Sequence, residues 1–366
     1  MSRVRCVSLL GALIAAIAAH AESQVTAERS EPSATLIPAT AISFASSVDS
    51  NSPVVWEMVD GVEWLFAFNS FDGWPSRSMG PQMQSLLPMG KVRFEAPPPH
   101  GIWIEAIVPD IDGTWYGYYH NERPAEICGN SQLVLPRIGA ARSTDFGVTW
   151  EDLGTILEAP PESYDCATAN RYFVGGVGDL SVALDRDSRY LYIFFSQYAT
   201  REQSQGVSVA RLPWAWRDRP RGRVAVWWRG NAWIPARATG MSEEAVDYTY
   251  AGGMPIYRAR DGWHDGSTVD AFWGPAVHWN TYLEQYVMLL NHASDAQFRQ
   301  EGIYISYSPT LDDPTAWSEP ERLLSGGSWY PQVVGIEPGI GTDRVAGEYA
   351  RFFMSGRSRY VIRFTR

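Results

Sequence analysis

Asp179-Leu180-Ser181-Val182-Ala183-Leu184, a polar turn from Asp185 to Ser188, then Tyr190-Leu191-Tyr192-Ile193-Phe194-Phe195-Ser196-Gln197-Tyr198: this stretch sets the pattern for the chain. A carboxylate comes first, an apolar run follows, and an aromatic run returns after the turn. Two runs of strand length on either side of a polar turn read as a hairpin. The same order recurs. From Asp49 it runs through Pro53 to Trp56, the turn Asp60-Gly61, and Trp64 to Phe68. From Glu105 it runs through Ala106 to Val108, the turn Asp112-Gly113, and Trp115 to His120. A fourth unit at Trp273 has Pro275 to Trp279, a turn at Thr281 to Glu284, and Tyr286 to Asn291. A fifth at Tyr330 has Pro331 to Val334, Tyr349 to Met354 and Tyr360 to Phe364. Helical periodicity is almost absent. Five β-rich units of similar period predict an all-β chain, a five-bladed β-propeller of four-stranded antiparallel blades. An N-terminal strand near Leu36 to Phe44 is expected to close the last blade.

The ends and the composition bound the rest. Arg3 and Arg5, the apolar run Leu9 to Ala19, and Ala19-His20-Ala21 have the order of a signal peptide over residues 1–21. Residues 22–40 are small and polar and are expected to be a flexible lead-in, with one propeller domain over 41–366. A secreted or periplasmic protein is expected. No later segment is apolar enough to span a bilayer. Cys6 leaves with the leader, and the remaining pair, Cys128 and Cys166, is expected to form a disulfide. The chain has 30 basic and 41 acidic residues. That balance argues against nucleic acid and anionic membranes as partners. Sixteen Trp and eighteen Tyr suit strands, and also suit stacking on sugar rings. A monomer acting on an oligo- or polysaccharide is expected.

Ser143-Thr144-Asp145-Phe146-Gly147-Val148-Thr149-Trp150 matches S-x-D-x-G-x-T-W, and so resembles the Asp box of sialidase-type propellers. That resemblance implies a hairpin between the third and fourth strands of a blade. Its Asp and Gly serve a tight turn and its Trp packs beneath, which is a structural role. Ser308 to Trp317 looks like a degenerate copy.

Propeller sites form where the innermost strands begin. The first three units each place an acid there: Asp49, Glu105 and Asp179. Carboxylates converging on one mouth raise one another's pKa values and can divide acid and base work. The arrangement resembles the five-bladed propeller glycoside hydrolases, such as arabinanases, xylosidases and invertases. Those carry an acid on each of the first three blades, in the order Asp, Asp, Glu, whereas this chain reads Asp, Glu, Asp. By position, the resemblance makes Asp49 the base or nucleophile and Asp179 the acid, with Glu105 tuning them. By chemistry, Glu105 has the longer reach for an acid. Asp49 also reads as a plain turn into a strand.

Candidate substrate-binding residues are Arg77, Trp103, His120, Asp270, Trp273, His278, Trp329 and Tyr330, with Glu122 at the rim. For the aromatics, core packing is the alternative. No cofactor is required. The resemblance implies that His278 helps hold a calcium in the central channel through water. Three further readings stay open: a sugar-binding propeller without catalysis, a calcium-dependent lactonase, and a sialidase. The last needs an arginine trio that the sequence does not display.

Overall fold

A computed structural model of the chain describes residues 31–129, 132–159, 163–200, 204–230, 232–236 and 253–366. The leader read at residues 1–21 lies outside them. Pro32 to Arg366 form one compact unit. The strands assemble into five small sheets. Among the described residues the helices are single 3₁₀ turns.

Each sheet is an antiparallel up-and-down blade. The first contains Val54–Val59, Val62–Phe71, Trp74–Gly80 and Leu87–Lys91. The second contains Gly101–Pro109, Trp115–Pro124, Val134–Ser143 and Thr149–Leu157. The third begins with Val177–Leu184, Tyr190–Tyr198 and Gln205–Pro213. The fourth contains Thr268–Asn280, Gln285–Asp295, Gln300–Ser308 and Glu321–Ser325. The fifth contains Gln332–Gly335, Tyr349–Met354 and Arg357–Thr365. Its outermost strand is Ser33–Ser43, paired antiparallel from Ser33↔Thr365 to Ser43↔Arg357. The ring is therefore closed by joining both ends of the chain in one sheet. This strand starts inside the stretch 22–40 that its small polar residues marked as a flexible lead-in. At its start Ala34 and Leu36 alternate with exposed neighbours and pack on the apolar cluster beside the last blade, which holds it.

Alternation also explains why the middle strands are apolar on both faces. Phe66 and Phe68 point toward the second blade, where they meet Ile104 and Trp115. Their neighbours Leu65 and Ala67 point the other way, toward Phe353 of the fifth blade. A separate apolar cluster fills each seam between consecutive blades, including the seam from fifth to first. The turns follow residue chemistry: Asp60 and Gly61 both take positive φ, 52° and 78°, as a two-residue hairpin requires.

The hairpin Ser143 to Trp150 joins the third and fourth strands of the second blade. Asp145 accepts from the Ser143 hydroxyl at 2.8 Å and from the Thr149 amide at 2.8 Å. The buried Trp150 ring donates to the Gly147 carbonyl. At Gly147, with φ of 76°, a Cβ would sit 2.4 Å from the Phe68 ring, so only glycine fits.

Cys128 and Cys166 form a disulfide with Cα atoms 5.2 Å apart. It ties the end of the second blade's second strand to the loop that leads into the third blade. Such bonds belong to oxidising compartments. Replacing both cysteines by serine should cost about 3 kcal/mol by freeing the unfolded chain. Melting of the oxidised protein and the double variant, each in non-reducing buffer, checks this. Equal melting temperatures would mean that the disulfide adds nothing.

Candidate functional site

The innermost strands break register at corresponding points: between Ile104 and Ala106 in the second blade, and between Gly178 and Leu180 in the third. The residues left unpaired are Glu105 and Asp179. A bulge frees a residue from the ladder and re-aims its side chain. Asp179 also takes a left-handed φ of 43°, and so does Tyr330, at 55°. Non-glycine residues held there concentrate at functional sites.

Asp179 and Tyr330 line a cleft of about 480 Å³, counted out to its open mouth. Asp49, His120, Glu122 and Asp179 supply its polar groups. Trp103 stands on one side, and Tyr172, Phe173, Trp273, Phe298, Trp329 and Tyr330 form the remaining walls. The aromatic walls hold one another edge to face: Trp273 lies 5.1 Å from Phe298 and 5.6 Å from Trp329.

Asp179 is 3% exposed and held at both oxygens. Tyr198 donates to Oδ2 at 2.5 Å and Tyr330 donates to Oδ1 at 3.3 Å. Glu105 is buried beneath. Its Oε2 accepts from the Leu180 amide at 2.7 Å, and its Oε1 lies 3.3 Å from His120 Nδ1. The Asp179 amide is also 3.3 Å from Nδ1. The two contacts cannot both be hydrogen bonds at once. A protonated Nδ1 donates to Glu105, whereas a bare Nδ1 accepts from the amide.

The charges around the ring bear on its protonation. Burial by itself would lower His120. The hydrogen bond to Glu105 and the charges of Asp179 and Glu122 outweigh that and lift it to about 9. These charges favour the imidazolium, which faces Glu105 Oε1 at 3.3 Å. Burial pushes Glu105 up to about 7, with Asp179 adding to the rise and His120 opposing it. Burial, then the charge of Asp179, pushes Asp49 up to about 6. Glu122 is raised too, chiefly by burial.

Of the residues singled out in the sequence, Asp49, Trp103, His120, Asp179, Trp273, Trp329 and Tyr330 come together in the cleft. Glu105 joins them from below without lining it. Three others do not reach it. Arg77 donates to the Phe146 carbonyl at 3.2 Å and lies over the Phe66 ring, in the seam between first and second blades. Its flanking turn-like sequence hid that it sits mid-sheet. Asp270 bonds His292 at 2.8 Å, away from the cleft, because the long first strand of the fourth blade carries it beyond Trp273. His278 is buried against Phe364, with ring centroids 5.7 Å apart, so its strand face looks into a seam. Tyr172, Phe173, Tyr198 and Phe298 were not anticipated. Phe298 gave one signal: a large apolar residue in the polar hairpin Asp295 to Arg299.

Calcium takes about six to eight oxygen ligands, carboxylates prominent among them. Burial alone drives His278 down to about 3, and no carboxylate acts on it. The residues around His278 do not fit a calcium. Glu105, His120 and Asp179 bring ligand-type atoms within 4.8 Å of one another. Glu105 Oε2 and both Asp179 oxygens already accept from the Leu180 amide, Tyr198 and Tyr330.

No known family profile matches the chain, and no curated protein matches it. Solved structures do. An endo-arabinase from Bacteroides thetaiotaomicron is similar at 11% identity and a TM-score of 0.48, over 89% of this chain and 98% of that one. An exo-beta-1,3-galactanase from Clostridium thermocellum is similar at 12% identity and 0.48, over 88% of this chain and 62% of that one. An alpha-L-arabinofuranosidase from Fusarium graminearum is similar at 11% identity and 0.47, over 86% and 79%. With identities this low, the chemistry of the cleft has to come from its own side chains.

Proposed function

We propose that this chain is an exported glycoside hydrolase that cleaves a neutral glycan with Asp49 and Asp179. One observation carries the proposal. Two carboxylates share an aromatic-walled cleft, and their surroundings treat them differently. Asp49 holds its proton up to about pH 6. Asp179 is oriented at both oxygens by phenols. Groups whose environments differ in this way divide acid and base work. Contrary to the positional expectation that made it the base or nucleophile, Asp49 gives its proton to the glycosidic oxygen as the C–O bond breaks. Asp179 stabilises the positive charge at the anomeric carbon and takes a proton from the water whose oxygen replaces the leaving group. The aromatic walls stack on the sugar.

A neutral substrate follows from what lines the cleft. Among its described residues there is no Lys or Arg, and the carboxylates would repel an anionic sugar. Arg77, a candidate for binding a substrate carboxylate, is committed to Phe146. The disulfide fits export.

The test is release of new reducing ends from a panel of neutral polysaccharides. The rate should fall as pH rises through about 6, because Asp49 then loses the proton it must donate. A rate that climbs through that range would remove Asp49 as the acid. Binding without release, at any pH, would favour a sugar-binding protein.

A further inference from the structure

His120 has two nitrogens in different situations. Nδ1 accepts from the Asp179 amide at 3.3 Å and faces Glu105 Oε1 at 3.3 Å. Nε2 is buried, in a side chain only 5% exposed, and has no hydrogen-bond partner among the described residues. The carboxylate facing it, Glu122 Oε1, is 3.8 Å away, beyond hydrogen-bond reach. The ring cannot swing to close that gap. A Cβ on Gly178 would lie 2.8 to 3.1 Å from three ring atoms, so the backbone presses against one side. The Trp103 ring packs 5.6 Å away. Both His120 and Glu122 line the cleft.

The cleft thus presents a fixed N–H donor beside a carboxylate acceptor, too far apart for each other and close enough for one oxygen to bridge. With the imidazole pushed up to about 9, Nε2 carries its hydrogen throughout the neutral range. An ammonium would satisfy only Glu122. A carboxylate would satisfy only His120 and be repelled by Glu122. A hydroxyl serves both, accepting from Nε2 and donating to Oε1. A buried donor left without its partner is costly, so the bridge has energetic weight.

We propose that His120 Nε2 and Glu122 together bind one hydroxyl of the sugar in the cleft, and that this pair selects among epimers. The inference rests on the reading of the cleft as a glycan site. The pair reads a sugar that presents a hydroxyl at that point and discriminates against its epimer or deoxy analogue. A site built around a hydroxyl rejects an analogue lacking it far more strongly than an apolar pocket rejects a missing methylene.

The probes are 4-nitrophenyl glycosides of the common neutral pentoses and hexoses, in both anomers. Hydrolysis is followed by released nitrophenol, and binding by saturation-transfer NMR. Wild type, Glu122→Gln and Glu122→Leu are compared, with melting curves to confirm folding. Wild type should prefer one sugar over its epimers. Glu122→Leu should lower kcat/KM on it by about 10²-fold or more. Glu122→Gln, which keeps an acceptor oxygen, should lose less. One monodeoxy analogue should suffer the same loss in wild type, and Glu122→Leu should no longer distinguish it from the parent. If binding is the only activity, the same pattern in binding supports the pair. A folded Glu122→Leu that keeps wild-type preference overturns the hydroxyl pair alone. A wild type that neither binds nor hydrolyses any glycoside overturns the glycan site and the pair with it.

Discussion

Asp179→Asn lowers kcat by about 10³-fold while the protein stays folded and still binds its glycan; that is the first expected result. The substitution is unusually clean. Asp179 sits at φ 43°, and Asn is among the few residues that adopt that conformation readily. The amide keeps an oxygen for one phenol, so Tyr198 or Tyr330 retains a partner. What disappears is the charge. That charge helps to raise both Asp49 and Glu105, so both should titrate lower in the variant. The residual activity should therefore decline at a lower pH than in wild type. Reducing-end assays across pH, with melting curves alongside, give both readouts. A folded variant with full activity would exclude Asp179 from the chemistry.

Glu105→Leu should be the most destabilising single change in the site, at about 3–5 kcal/mol. It strands the buried Leu180 amide and a buried imidazolium together. Glu105→Gln still accepts from Leu180 and should lose much less. The pH dependence supplies a second signature. His120 is raised from 6.5 to about 9 in the fold, so its contribution is fully present below 6.5 and is lost as pH rises through about 9. Glu105, raised from 4.5 to about 7, acts in the same direction, since ionising it in the buried floor costs stability as pH climbs. Wild-type stability should therefore fall from about pH 4.5 to 7 through Glu105 and from about 6.5 to 9 through His120, and either Glu105 variant should flatten that slope. Urea unfolding at several pH values measures both effects. A Glu105→Leu protein as stable as wild type would mean that the cluster holds nothing in place.

Neither result was available from the sequence in full. The acids were legible because each opens a repeat unit, and Asp49, Glu105 and Asp179 do converge. Their depths were not. Glu105 looked like the better acid for its reach, yet the bulge at that position turns it under the floor, against His120 and Leu180. His120 was visible only as a polar residue ending an aromatic strand. Its charge depends on three carboxylates from two blades. Arg77, Asp270 and His278 were misplaced for a common reason. Local alternation tells which face of a strand a residue occupies, but not whether that face meets the cleft or a seam.

The sequence by itself determined the class of fold. Period-two apolar patterning, turns such as Asp60-Gly61 and five repeats of one order dictate hairpins that must bury both faces against neighbours. It also offered Cys128 and Cys166 as a candidate pair, which the structure joins. The tertiary structure alone decided the site. Tyr172, Phe173 and Phe298 come from a linker and a turn far apart in sequence, and Tyr198 reaches Asp179 only across its own hairpin. The rise of Asp49 comes from burial and from the charge of Asp179 on another blade, and those distances exist only once the ring has closed.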